Sequence, residues 1–168
     1  RNAHSLMIFA LPLAGLLIVF LYKVSNYEND KGTNLVISTL HAESQIPFRM
    51  APLIFVSTIL THLFGGSAGR EGAALQIGGS IAAVFSKVFH FTEEDKRILI
   101  MCGMSGLFSA LFNTPITAAV FSLEAIKVGT IYYGALIPCL MSSAIAFIFS
   151  HYFNIKPITY KIINLPEI

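Results

Sequence analysis

Charge is what this sequence has least of. Asp, Glu, Lys and Arg together make up 12% of its 168 residues, against about 25% in a soluble domain. With 55% apolar residues and a mean hydropathy of +0.71, that scarcity excludes an ordinary soluble fold and reads as a membrane protein. The net charge of +2 is small and its carriers are scattered, which excludes a nucleic-acid surface. Lysines and arginines are too evenly spread to set an orientation by charge. Cysteine is nearly absent: Cys102 and Cys139 lie far apart in apolar runs. They have no partner at metal-ligand spacing, so no metal is expected and both read as structural thiols. Low-complexity segments, linkers and internal repeats are missing too, so residues 1–168 read as one membrane domain. The chain opens on Arg1 with no small-residue cleavage site. The first apolar run therefore reads as a membrane helix rather than a signal peptide, and the chain as a piece of a longer subunit.

What is present is a series of apolar stretches of unequal length. Ser5–Val24, Ile46–Phe64 and Ile131–Phe153 approach the roughly 20 residues needed to span a bilayer. Between the first two, Gly32-Thr33-Asn34-Leu35-Val36-Ile37-Ser38-Thr39-Leu40 is too short to span and reads as a half-helix. Thr92-Glu93-Glu94-Asp95 reads as a helix start with Thr92 as N-cap. The apolar run Ile98–Phe112 carries Gly103 and Gly106 at a spacing that permits close helix packing. Asn113-Thr114-Pro115 restarts a helix, with Thr114 placed to cap and Pro115 at the first helical position, running to Lys127. The expected fold is all-α, with full spans alternating with broken ones, the arrangement from which transporters build ion sites.

The stretch Gly65-Gly66-Ser67-Ala68-Gly69-Arg70-Glu71-Gly72-Ala73-Ala74-Leu75-Gln76-Ile77-Gly78-Gly79 is the most informative. It sets a charged pair inside a glycine-rich break between two apolar flanks, with a helix expected to resume near Ala73. Irregular backbone at membrane depth survives only where protein buries it or an aqueous path lines it. A helix N-terminus carries about half a positive charge and free N–H donors. Two such termini, near Thr33 and near Gly72, Ala73 and Ala74, with Thr33, Asn34 and Ser67 adding neutral donors, would hold a small dehydrated anion without trapping it. An acid at membrane depth costs about 2.5–3.5 kcal/mol. Lipid penalises the carboxylate of Glu71 and the helix N-terminus rewards it, so Glu71 can compete with the anion for the same donors as gate or proton carrier.

Other readings stand beside these. The glycines could serve helix packing alone, and Glu71 could pair with Arg70, although adjacent helical residues point apart. Glu124, on an apolar helix, is either a second transfer group or an acid snorkelling at a helix end. His62 reads as a packed histidine and Arg49 as an interfacial charge. A phosphate loop is disfavoured, because no lysine follows the glycines and no strand precedes them.

Gly69-Arg70-Glu71-Gly72 with Gln76-Ile77-Gly78-Gly79 resembles the glutamate-bearing motif of the CLC family of chloride channels and proton-coupled antiporters. Leu111-Phe112-Asn113-Thr114-Pro115 with Phe121-Ser122-Leu123-Glu124 is similar to that family's next block, and Gly32-Thr33-Asn34-Leu35-Val36 sits where the family has Gly-Ser-Gly-Ile-Pro. The resemblance covers about Ser5 to Phe153. It implies broken, tilted helices of the CLC type, a multi-pass protein of the cell membrane, Glu71 as external gate, and Thr33 in place of the central serine. It also implies that a later half with further anion ligands lies outside this chain. A homodimer with one pore per subunit is implied too, its interface including the helices at Pro115–Lys127 and Ile131–Phe153. Halide ions, protons and lipid are the implied partners, with no cofactor and no enzymatic step.

Three departures from the usual pattern carry the finer expectation. Asn34 and Val36 replace glycine and proline beside Thr33. Ala125 stands where chloride/proton antiporters can hold an inner glutamate, and Ala73 follows Gly72 where proline is usual. With Thr61-His62-Leu63-Phe64 before the break, they resemble the bacterial fluoride-exporting branch, which implies fluoride/proton antiport gated by Glu71. A passive voltage-gated chloride channel would also lack the inner glutamate. A cofactor-binding membrane enzyme using the glycine loop, and a purely structural subunit, are the alternatives of other classes.

Overall fold

A computed structural model describes residues 11–27, 47, 49–125 and 132–155. Among them every regular element is helical. In chain order these are α1 (Leu11–Val24), α2 (Met50–Leu63), α3 (Arg70–Val88), α4 (Glu93–Phe112), α5 (Pro115–Glu124), a 3₁₀ turn (Tyr133–Ala135) and α6 (Leu136–Tyr152). Tyr133–Tyr152 is the one described helical stretch long and apolar enough to cross a membrane by itself. The other apolar helices, α1, α2 and α5, are shorter over the residues described. The half-helix expected at Gly32–Leu40 lies outside the described residues, as do Lys127 and Ile131.

The local rules read from the sequence hold at several ends. Thr92 caps α4, its Oγ1 accepting the Asp95 N–H at 3.2 Å and donating to the Asp95 carboxylate at 2.7 Å. Pro115 opens α5, but Thr114 gives it no side-chain cap; only the Thr114 carbonyl takes part, accepting the Ala118 N–H at 2.9 Å. The proline already removes one of the donors a cap would satisfy.

The core is built on α4. α3 and α4 form an antiparallel hairpin, and their closest approach is at Gly78 and Gly103, each ten residues from the connection between the helices. A Cβ on either glycine would collide with the carbonyl of the other. Gly106 faces a different helix, α6, where a Cβ would come within 2.9 Å of Ser142 Oγ. The two glycines that look like one packing motif in the sequence thus serve two interfaces. Ile100, Met101, Met104, Leu123 and Cys139 fill the space between α4, α5 and α6.

Hydroxyls bind α4 to α6. Ser105 Oγ donates to the Cys139 carbonyl at 3.0 Å and Ser109 Oγ to that of Ser143 at 2.7 Å. From the other side, Ser142 Oγ donates to the Cys102 carbonyl at 2.8 Å and Ser150 Oγ to that of Ala110 at 3.0 Å. The sequence offset is the same within each pair of bonds, so the two helices run parallel. Small side chains let the backbones approach, and each hydroxyl, cut off from water, finds a carbonyl across the interface. Cys102 and Cys139, separated in sequence, both lie at this interface, their carbonyls accepting from Ser142 and Ser105, and both remain free thiols. Interhelical bonds of this kind are worth about 0.6 kcal/mol each. Replacing Ser105, Ser109 and Ser142 together by alanine should therefore destabilise the protein by about 2 kcal/mol, measured by thermal unfolding in detergent. A loss under a few tenths would mean that the hydroxyls are incidental to the packing.

Candidate functional site

The glycine-rich break is confirmed as a break. α2 stops at Leu63 because Gly65, at φ +81°, takes the left-handed conformation that reverses the chain. The Gly65 N–H then donates to the His62 carbonyl at 3.1 Å and the Gly66 N–H to that of Thr61 at 2.8 Å. Gly66 lies flat on Thr61; a Cβ there would be 2.8 Å from Thr61 Cγ2. The chain passes through Ser67 and Ala68 to Gly69, which is extended at φ −66° and ψ 139°. Helix α3 begins immediately after it.

That start is three residues earlier than the sequence reading placed it. Arg70 and Glu71 lie in the first turn, and Ala74 is buried in the body of α3. The free N–H groups of the first turn therefore belong to Arg70, Glu71 and Gly72. Gly69 has no side chain with which to cap this end, and no side-chain cap is made there among the described residues. The contrast with α4 is direct: there the chain supplies its own oxygen from Thr92, whereas α3 presents open donors with an acid among them.

Glu71 is exposed, as is Arg70. No ion pair joins them or ties either to another described residue; the one described pair is Lys96–Glu93 at 3.0 Å. The local Glu71–Arg70 pair considered from the sequence is thus absent, because successive helical positions diverge by about 100°. Thr33 and Asn34 lie outside the described residues. Glu124 ends α5, exposed, with Ala125 following as the C-cap residue. Arg49 precedes α2 at an exposed position without capping it. His62 is half-buried, and its Nε2 is shielded from solvent with no partner among the described residues, as is Ser57 Oγ one and a half turns earlier on α2. Described residues offer no group of three His, Cys, Asp or Glu able to hold a metal ion.

Residues 14–167 match the family model described as "Voltage gated chloride channel". The chain belongs to the CLC family. A chloride/fluoride channel protein of Pseudomonas syringae pv. tomato is 39% identical to it over 147 residues, 87% of this chain and 32% of that protein. The H(+)/Cl(-) exchange transporter ClcA of Vibrio cholerae is 30% identical over 87 residues, 46% of this chain and 19% of that one. A crystal structure of a CLC-type fluoride/proton antiporter superposes with a TM-score of 0.86 at 35% identity, covering all of this chain and 43% of the other. This CLC chain thus spans about a third of the length of curated relatives that it matches over most of its own length. The all-helical membrane fold and the location in the cell membrane, as part of a multi-pass protein, follow from the family.

One signal for the true start of α3 was present in the sequence. Glycine is tolerated at an N-cap and acids are favoured in the first turn, so Gly69-Arg70-Glu71 already reads as cap and first turn. The run of alanines from Ala73 is a stronger helix former and draws the boundary inward.

Proposed function

We propose that this chain is part of a CLC subunit that carries fluoride across the cell membrane in exchange for protons, with Glu71 as the gate and proton carrier. The observation that carries the reading is the uncapped first turn of α3 with Glu71 in it. An ionised Glu71 occupies the N–H donors itself; once protonated it releases them, and a halide takes its place. Gly72 then offers its N–H directly, and Ala73 and Ala74 continue the helix whose dipole faces the ion. Thr33 and Asn34 would complete the site from the second half-helix. Fluoride holds its water more tightly than chloride, so its site must offer compact, strong donors. A threonine hydroxyl and an asparagine amide in place of serine and glycine meet that demand. The likeness to the fluoride/proton antiporter structure over the whole chain supports the same choice. The subunit would pair as a homodimer through α5 and α6, whose outer faces expose Ile116, Ile137, Met141 and Ile145, with lipid covering the remaining apolar surface.

The test is flux from proteoliposomes holding the full-length subunit, with fluoride, chloride and pH recorded together. Fluoride flux should equal or exceed chloride flux, with protons moving the opposite way. Chloride flux far above fluoride flux, with no pH change, would make the protein a passive chloride channel instead. Nucleotide-dependent thermal stabilisation would favour the enzyme reading.

A further inference from the structure

Four helices of this chain end in the same closure. In α1, α2, α3 and α6 the two residues after the C-cap turn back, their N–H groups donating to carbonyls of the last turn, and the first of the two is left-handed. That residue is Asn26 in α1, Gly65 in α2 and Asn154 in α6, the residue types that tolerate the conformation. In α3 it is His90, at φ +54°. Histidine, like asparagine, is among the non-glycine types that take this conformation most readily, and here the closure fixes an imidazole, with its two ring nitrogens, at the end of α3.

His90 stands at the mouth of a cleft of about 250 Å³ between the end of α3 and the start of α4. Ser86, Lys87, Phe91, Glu93 and Lys96 line it with His90. The closure consumes carbonyls at the α3 end: Ser86 accepts from the Phe91 N–H at 3.1 Å and Lys87 from that of His90 at 3.4 Å. Across the cleft, the first-turn N–H groups of Glu93 and Glu94 have no intrahelical acceptor. Lys96 is paired with Glu93, which offsets one charge of each sign, while Lys87 is exposed with no ion-pair partner among the described residues. Among the lining residues this leaves one net positive charge, that of Lys87, beside the first-turn N–H groups; Glu94 and Asp95, on the same turn, do not line the cleft. Beside it runs a row of exposed rings, Phe85, Phe89 and Phe91, with centroids 4.7 Å and 6.2 Å apart in turn. A cationic mouth above an apolar aromatic row, at the point where an apolar helix gives way to the charged turn Glu93–Arg97, matches a lipid in both its parts. The volume is below the roughly 300 Å³ at which pockets for drug-sized ligands begin, and suits a headgroup.

We propose that this cleft binds the phosphate headgroup of an anionic phospholipid, held by Lys87 and His90, with its acyl chain along Phe85 and Phe89. The site is separate from the open turn of α3, which lies at the opposite end of that helix. The test uses the full-length subunit in detergent, offered equimolar phosphatidylglycerol and phosphatidylcholine, with retained lipid counted by native mass spectrometry. Phosphatidylglycerol should be retained at least fivefold over phosphatidylcholine. His90→Asn, which keeps the left-handed backbone as Asn26 and Asn154 do, and Lys87→Gln should each bring that ratio towards one without lowering the unfolding temperature. Equal retention of the two lipids by the unaltered protein, or wild-type preference in both variants, would overturn the proposal. Displacement of phosphatidylglycerol by free glycerophosphate at the same concentration would also overturn it, and assign the cleft to a soluble phosphate.

Discussion

Glu71→Gln should abolish pH-dependent halide flux while leaving the fold intact. The side chain is exposed at the start of α3 and makes no ion pair among the described residues, so its removal should cost less than about 0.5 kcal/mol of stability. Its effect on transport is of another order. Glutamine has nearly the same shape but carries no charge at any pH, so it mimics the protonated acid permanently. On the proposed role, the wild-type carboxylate competes with the anion for the first-turn donors, drawn there by the positive helix N-terminus. Lowering the pH removes that competitor and frees the donors for the anion, so flux should rise as pH falls. In the variant the donors are free throughout. Anion flux should become independent of pH, and the coupled proton flux should fall to the level of empty vesicles. A variant that keeps the wild-type pH dependence would show that the gate lies elsewhere.

Gly78→Val should produce the largest loss of stability of any single change discussed. The Gly78 and Gly103 backbones touch, and even the Cβ of alanine would run into the Gly103 carbonyl and approach Leu107 Cβ to 3.2 Å. No flexible side chain is available to yield, so α3 and α4 must separate along their whole length. Overpacking of this kind costs about 1–3 kcal/mol, occasionally more, and valine adds two methyl groups to the collision. Because α3 carries Glu71, the displacement should also impair coupled flux. Gly15→Ala is the matched control: nothing lies within 4 Å of a Cβ there, and alanine is the better helix former by about 1 kcal/mol. That variant should unfold at or above the wild-type temperature. Equal behaviour of Gly78→Val and Gly15→Ala would mean that close backbone approach contributes nothing to this fold.

Much of the architecture was legible because the rules that place helix ends act within a single turn. Thr92 three residues before an acid, Pro115 after a cap position, and Gly65-Gly66 after an apolar run each mark a boundary by local hydrogen bonding or by φ. The same rules located the break and Glu71 within it. They misplaced the start of α3 by three residues, since helix propensity rises gradually across Gly69–Ala73 while the backbone turns at one residue. They also credited Thr114 with a side-chain cap that it does not make.

Composition and local pattern by themselves determined that this is a helical membrane chain, and the motifs determined its family and the position of its acid. Only the tertiary structure decided which helices those residues join. That Gly103 meets α3 while Gly106 meets α6, that four serines bind α4 to α6, and that Cys102 and Cys139 share the same interface depend on how helices cross. Nor could local preference announce His90 as a left-handed residue, since histidine takes that conformation only in a minority of places and is held in it here by the closure of α3 around it. The physical reason is one of range. A cap or a glycine turn is settled by atoms a few residues apart, whereas a packing partner is settled by which surfaces fit best once all the helices are present.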